Sequence, residues 1–511
     1  MTTDKKVIVI GSGLGGLVSA TLLAQSGYDV TVYEKNATLG GRLNYKQRDG
    51  FFIDTGPSWL MTIDLWRQIF DVLDLDFDTD LNVQKLKPGY RIFFKDDSVI
   101  VDMQSGDRKQ ILELFESFDP GSGTRLNKYL DHAKQNNKTA VKWFLYRPYE
   151  LNFKYLFKRE IFLKLGLFDF FKNVQSEINK ITTNWQLQLI LQWIMTFVGT
   201  PPAKTPALYT LMNHYDIDEG IYYPIGGMYE ISKKIIEQAE RAGVIFHTNS
   251  EVQNISIDEN GVANGIVLND GHVPANIVVS NSDVVHTHTK LVPERYQHKS
   301  NVYWENLSNS PAAFVAYVGI DGGMDNIQHH NFIFANNADK QFKEIYTEKV
   351  WPEDPFIYFT VPSITDKTIV PQGKNLLYIL IPLAAGLNAT ENYYEKVFNK
   401  AIELISDQIG NINLKDKIEW QEFYTIDDMI KDFYAPGGSG FGLGHTLSQS
   451  AWFRPSTKHP RVKNLYLCGQ STNPGTGIAN AAISGQVVYK RIMGIKHPHP
   501  LKRAEIKLYE K

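Results

Sequence analysis

The stretch KKVIVIGSGLGGLVSATLLAQSGYDVTVYEK, Lys5 to Lys35, most narrows what this chain can fold into. An apolar run of strand length, Lys6–Ile10, stops at Gly11, and glycines recur at Gly13 and Gly16. A helix-like segment follows, and a second apolar run, DVTVYE, ends in Glu34. Strand, tight turn, helix and parallel strand in that order make a βαβ unit. Its first glycine permits the turn, its second lets a pyrophosphate reach the backbone, and its third brings helix against strand. Glu34 falls where a carboxylate accepts ribose hydroxyls. The unit predicts an α/β, Rossmann-type domain around an adenine dinucleotide, with Leu14 in the turn and Lys35 after the acid joining the contact set. It does not by itself separate FAD from NAD.

A chain of 511 residues is too long for one simple core, and two interlocked domains are expected. With a net charge of −3 there is no basic field to draw it to nucleic acid. Its single cysteine, Cys468, leaves no disulfide framework, CxxC pair or cysteine zinc site, and fits a reducing cytoplasm. A first strand at Lys6 leaves no room for a signal peptide. The longest apolar stretch, Leu376–Leu387, falls short of the roughly 18 residues of a membrane span. The 12% aromatic share suits a large apolar cavity or a membrane-facing surface.

After the second strand come Gly40-Gly41-Arg42 and Asp54-x-Gly56-Pro57. This continuation resembles that of the FAD-binding amine oxidase and carotenoid desaturase superfamily, which implies FAD. In that superfamily the paired glycines and the arginine run along pyrophosphate and flavin, and Arg42 offers a fork of donors to phosphate oxygens. Near the other end, KNLYLCGQSTNPGTGIANAAISGQVVYKRI reads as a strand, Asn464–Cys468, ending at Gly469. A turn with Pro474, Gly475 and Gly477 then opens a helix at Ile478. The resemblance implies that this turn brings backbone N–H groups to the flavin and diphosphate. Gln470 stands where the superfamily often has an acid, so an acidic ribityl contact is not expected.

Between these ends, residues 243–282 alternate apolar and polar positions, with turns at Glu259-Asn260-Gly261 and Asn269-Asp270-Gly271. They predict a strand and a β-meander, with the strand backbone near Val252 meeting the adenine by resemblance. The FAD-binding domain is therefore expected to be discontinuous: 1–75, 220–300 and 455–495. Strand-like runs predict a mixed or antiparallel substrate-binding sheet from 76–125 and 301–454, and residues 126–219 are expected to be helical. Within them Val141–Lys172 interleaves aromatics with Lys142, Arg147, Lys154, Lys158, Arg159, Lys164 and Lys172. That composition fits peripheral contact with a membrane lipid surface or a helical layer on the protein's own core.

The stretches YYPIGGMYEISKKI (Tyr222–Ile235), HHNFIF (His329–Phe334) and LSQSAWFRPS (Leu447–Ser456) complete a resemblance to bacterial, phytoene-type carotenoid desaturases over essentially the whole chain. It implies noncovalent FAD, a long carotenoid taken from the inner face of the cell membrane, hydride transfer to flavin with proton loss, and oxygen or a quinone as electron acceptor. Asn473 and Ala479 stand where phytoene desaturases carry histidine and proline. The departure points to the 3,4-desaturases that act on 1-hydroxylated carotenoids, with phytoene or diapophytoene desaturation as the alternative. A catalytically inactive, flavin-containing carotenoid-binding protein is the alternative from another class. By resemblance His329 and His330 are candidates for the catalytic base, local hydrogen bonding being their other explanation. Trp452, Phe453 and Arg454 are candidates for substrate contact, or for a turn packed in the core. Tyr222, Gly226, Gly227 and Met228 are expected to shape the cofactor edge. His286 and His288 lack further ligands at metal spacing, so no metal is expected.

Overall fold

The computed structural model describes residues 5–149, 172–388, 391–410 and 413–506. Lys154, Lys158, Arg159 and Lys164 of the aromatic and basic stretch lie outside them. Phe144 and Tyr149, at its described end, turn inward onto Trp452, with ring centres 5.9 and 5.1 Å away. Among the described residues no helix is long and apolar enough to cross a membrane.

Five short apolar strands form an all-parallel sheet in the order Leu465–Leu467, Ile277–Ser280, Lys6–Ile10, Asp29–Tyr33, Ile245–His247. Lys6–Ile10 sits centrally, with later strands on both sides, which makes its carboxyl end the switch point where such sheets bind ligands. Helix Leu14–Gln25 leaves that end and packs against helix Ile478–Ile492. Small residues allow the approach: a Cβ on Gly15 would stand 2.9 Å from the Ala481 carbonyl oxygen. The N-termini of both helices therefore open on the same space.

The expected meander is present as Asn254–Ile257, Ala263–Leu268 and Gly271–Pro274. Val252 is not in a strand. It lies in the connection after Ile245–His247, which crosses the end of the Glu34 strand through Ser250 N–H to Glu34 O (2.8 Å).

A second sheet has seven strands, ordered Ile418–Tyr424, Ala312–Asp321, Lys374–Leu383, Ile357–Thr360, His330–Phe334, Tyr90–Phe94, Val99–Met103. It is mixed, because His330–Phe334 runs parallel to Tyr90–Phe94. Side chains alternate across it. Phe314, Ala316 and Val318 pack towards helix Glu391–Gln408, whereas Ala313, Val315 and Tyr317 face the helices from 108 to 198.

Hairpin Tyr45–Arg48 and Phe51–Asp54 ties the two sheets together. The Asp54 carboxylate accepts the N–H groups of Met228 (2.8 Å) and Tyr229 (3.0 Å), at the start of helix Tyr229–Arg241. Burial raises its pKa to about 7, against the lowering effect of those two bonds. The folded carboxyl thus keeps a proton that the unfolded chain releases near pH 4. Its stabilising contribution is full below that pH and is lost as pH rises towards 7. Asp54→Asn is expected to reduce by about 2 kcal/mol the protein's loss of stability between about pH 5 and pH 7. Denaturant titration of both proteins across that range checks it; identical slopes would contradict it.

Candidate flavin and substrate site

One cavity of about 520 Å³ runs from the carboxyl ends of the parallel strands to the inner face of the seven-stranded sheet. Its first part is a polar, glycine-lined cradle. Gly11, Gly13, Leu14, Glu34 and Lys35 line it from the βαβ unit, and Gly41, Arg42, Gly56 and Pro57 from the segment after it. Val252, Gly469, Gly477 and Ile478 complete the expected set on the wall. Gly16 and Gly475 act from behind: a Cβ on Gly16 would overlap the Gly11 carbonyl oxygen, and one on Gly475, at φ +141°, would overlap the His445 ring.

The donor set fits an adenine dinucleotide. Glu34 Oε2 accepts the N–H and hydroxyl of Ser12 (2.9 and 2.8 Å), and Oε1 accepts Asn36 N–H (2.9 Å). A carboxylate so held retains acceptor sites for ribose hydroxyls. The Arg42 guanidinium lies 4.5 Å from the centre of the Phe433 ring, with one long hydrogen bond, 3.5 Å, to Ser439 O. Desolvation lowers its pKa while Asp283 opposes that shift. A cation held beside a glycine cradle with so little hydrogen bonding is suited to a diphosphate.

Several wall residues were not evident in the sequence. Asn281 follows strand Ile277–Ser280 at the same sheet end as Gly11, and its Nδ2 would stand 2.7 Å from a Cβ on Gly13. A rule that the ends of all parallel strands meet the ligand would have found it. Helix Ile426–Phe433 and Tyr434 close the adenine end. Lys35 donates to Lys431 O and lies 4.3 Å from the Tyr434 ring centre, and Tyr434 stacks on His286 at 3.9 Å.

Beyond Pro57 the wall becomes aromatic and aliphatic: Trp59, Trp193, Phe197, Phe332, Tyr358 and Leu380 lie along it. Trp193 and Phe197 come from the helical layer, Phe332, Tyr358 and Leu380 from the inward face of the second sheet, and Trp59 from the segment after Pro57. Trp59 is the hub, with ring centres of Tyr90, Trp193 and His330 within 5.3 Å.

The remaining candidates stand off the wall. His330 is buried behind Trp59, stacked on it at 4.6 Å, with Nδ1 hydrogen-bonded to Tyr358 Oη (2.8 Å). His329 Nδ1 bonds Thr365 Oγ1 (2.8 Å). Burial pushes the pKa of His329 down to about 3 and that of His330 well below the usual range. Trp452 packs on Phe144 and Tyr149, and Phe453 is 59% exposed. The five N–H bonds of buried Arg454 reach the carbonyls of Leu443, Gly444, Gln449, Gln470 and Thr472, at 2.6–3.3 Å. The structure thus places Trp452 and Arg454 in a packed turn behind Ser450 and Ala451, which do line the cavity, while Phe453 points outward from that turn. Tyr222, Gly226, Gly227 and Met228 likewise form scaffolding around Asp54 and do not reach the wall. Of the two departures at the last turn, Ala479 lines the cavity and Asn473 is buried beside it, its Oδ1 without a partner.

His288 meets His298 and His459, one ring nitrogen from each within 4.8 Å of the others. His459 Nδ1 accepts the N–H groups of Arg461 and Val462 (3.2 and 3.0 Å), which leaves the ring proton on Nε2. A metal at Nε2 would have to displace that proton, so the trio reads as a buried imidazole cluster.

Comparison with known proteins agrees with the cradle. Residues 14–492 match the family described as flavin containing amine oxidoreductase. A carotenoid 3,4-desaturase of Haloarcula japonica is 33% identical, over 95% of this chain and 97% of its own. A zeta-carotene-forming phytoene desaturase of Myxococcus xanthus is 30% identical, over 97% and 95% respectively. Among solved structures, an engineered putrescine oxidase shares the fold at a TM-score of 0.62 and 13% identity, over 96% of this chain and 99% of its own. The dinucleotide is FAD, and the cradle residues named above would hold it.

Proposed function

The chain belongs to the flavin-containing amine oxidoreductase family, in its carotenoid desaturase branch, and is an FAD-dependent oxidoreductase; from that premise we propose that it introduces a C=C bond into a long polyene, as a 1-hydroxycarotenoid 3,4-desaturase. The observation that carries the reading is the continuity of the cavity, in which the dinucleotide cradle opens directly into an aromatic compartment suited to a conjugated chain. The 3,4-desaturase named above supports the subtype, and Ala479 on the wall is the departure that favours it. Phytoene desaturation is the rival, favoured by the relative from Myxococcus xanthus.

Desaturation removes a hydride from one saturated carbon and a proton from its neighbour. Bound FAD supplies the two-electron, hydride-accepting centre. The chain's own residues do the rest. The Trp59, Trp193 and Phe332 walls hold the polyene in one orientation and keep water from the allylic cation left by hydride loss. The neighbouring proton leaves towards the Ser58 and Tyr358 hydroxyls, 2.6 Å apart on the wall. His330 Nδ1, hydrogen-bonded to Tyr358 and neutral through burial, is the acceptor to which those hydroxyls relay the proton.

The test is a chromatographic absorbance trace of polyenes after incubation with the enzyme in liposomes. One sample holds phytoene, the other a 1-hydroxycarotenoid. A red shift of about one conjugated bond in the hydroxylated sample alone is expected; stepwise colouring of phytoene would assign the early desaturase instead.

Access to such a substrate implies attachment to the membrane surface, with oxygen or a quinone as electron acceptor. Charge reversal at Lys154, Lys158 and Lys164 is expected to release at least half of the protein from anionic liposomes, since each lysine adds about 1 kcal/mol near such a surface. Unchanged co-sedimentation would contradict that attachment.

A further inference from the structure

The aromatic compartment carries an ordered polar device beside the last glycine turn. Thr476 N–H, between Gly475 and Gly477, donates to His445 Nε2 at 3.0 Å. The proton of this neutral imidazole is therefore on Nδ1, which bonds Tyr209 Oη. Burial and the nearby Arg454 hold His445 well below its usual pKa, so the ring stays neutral. With His445 donating to it, Tyr209 donates its own O–H to Ser450 Oγ (3.3 Å), and Ser450 donates to Thr446 O (2.8 Å). Every donor in the chain is used. Tyr209 and Ser450 both line the cavity, and what they have left for a ligand is acceptor capacity, one lone pair each. A hydrocarbon cannot use it, and a ketone or ether, which only accepts, leaves it unpaired. An alcohol fits.

We infer that Tyr209 and Ser450, oriented by His445 on the Thr476 turn, form a hydroxyl-accepting subsite that selects polyenes hydroxylated next to the carbons being oxidised. The inference rests on the 3,4-desaturase reading above. When the alcohol is on C1 and the new bond joins C3 to C4, the oxygen must lie beside the reacting carbons, and hence beside the turn that holds the flavin. The Ser58–Tyr358 pair is less selective, because either hydroxyl can donate there and the donor sense is open.

The experiment compares the FAD-loaded wild type with Tyr209→Phe and Ser450→Ala in liposomes. Each receives a 1-hydroxycarotenoid, its methyl ether and the parent hydrocarbon. Two quantities are read: kcat/KM, and polyene binding by quenching of the tryptophans on the wall. The wild type is expected to prefer the alcohol over the ether by about 100-fold, and Tyr209→Phe to compress that ratio about tenfold or more in both readouts. Where Tyr209→Phe fails to retain FAD, Ser450→Ala decides by the same ratio. A wild type indifferent to the hydroxyl overturns the 3,4-desaturase reading and the subsite with it. A selective wild type whose folded variants keep the full preference overturns the subsite alone.

Discussion

Gly13→Val is expected to purify without its yellow colour. Backbone strain is not the cause, because Gly13 has φ −68° and ψ 169°, which any residue adopts. The loss comes from space. A Cβ there would stand 2.7 Å from Asn281 Nδ2, and Gly41 lies so near that a Cβ added to it would stand 2.9 Å from the Gly13 Cα. Valine must swing the Asn281 amide aside and fill part of the cradle that Gly13 lines, and overpacking of this kind costs about 2 kcal/mol or more. That corresponds to roughly a thirtyfold loss of FAD affinity, read by titrating the apoprotein. Gly323→Ala, where a Cβ meets nothing within 4 Å, is the control expected to stay yellow. Full occupancy in Gly13→Val would remove the cradle from this glycine.

Arg454→Met is expected to unfold far more easily than the wild type while keeping the bulk of the side chain. All five guanidinium N–H groups are matched to carbonyls on two segments, Leu443–Gln449 and Gln470–Thr472. Methionine leaves those carbonyls buried and unpaired, at a cost of roughly 3–5 kcal/mol. Because the second segment leads into the glycine turn, FAD is expected to loosen as well. Arg454→Lys should rescue little, since an ammonium group cannot reproduce the fork. A variant of normal denaturant midpoint that has lost turnover would instead make Arg454 a substrate contact.

Such residues show what could be read from the chain alone. The cradle was legible because its parts are contiguous: Gly11, Gly13 and Glu34 are one βαβ unit, and Gly469 to Ile478 is one strand, turn and helix. For Arg454 substrate contact and a packed turn both stayed open, because its role depends on carbonyls up to 18 residues away. The wall of the compartment was hidden for another reason. Strands Ala312–Asp321 and Lys374–Leu383 are buried on both faces, so they read as nearly continuous apolar runs. The alternation is there, but nothing in it says which face looks into the cavity. Tyr209 and His445 are 236 positions apart, and only the packing of the helical layer over the last glycine turn brings them together.

The central claim, that this cavity couples a polyene to FAD, is tested most directly by one anaerobic turnover. The enzyme with FAD bound is mixed with excess 1-hydroxycarotenoid in liposomes, and flavin bleaching and polyene absorbance are followed in the same trace. One new conjugated double bond for each flavin reduced, at the same rate, is the predicted result. A polyene that lengthens while the flavin stays oxidised, or a flavin that bleaches with the polyene unchanged, would contradict the account.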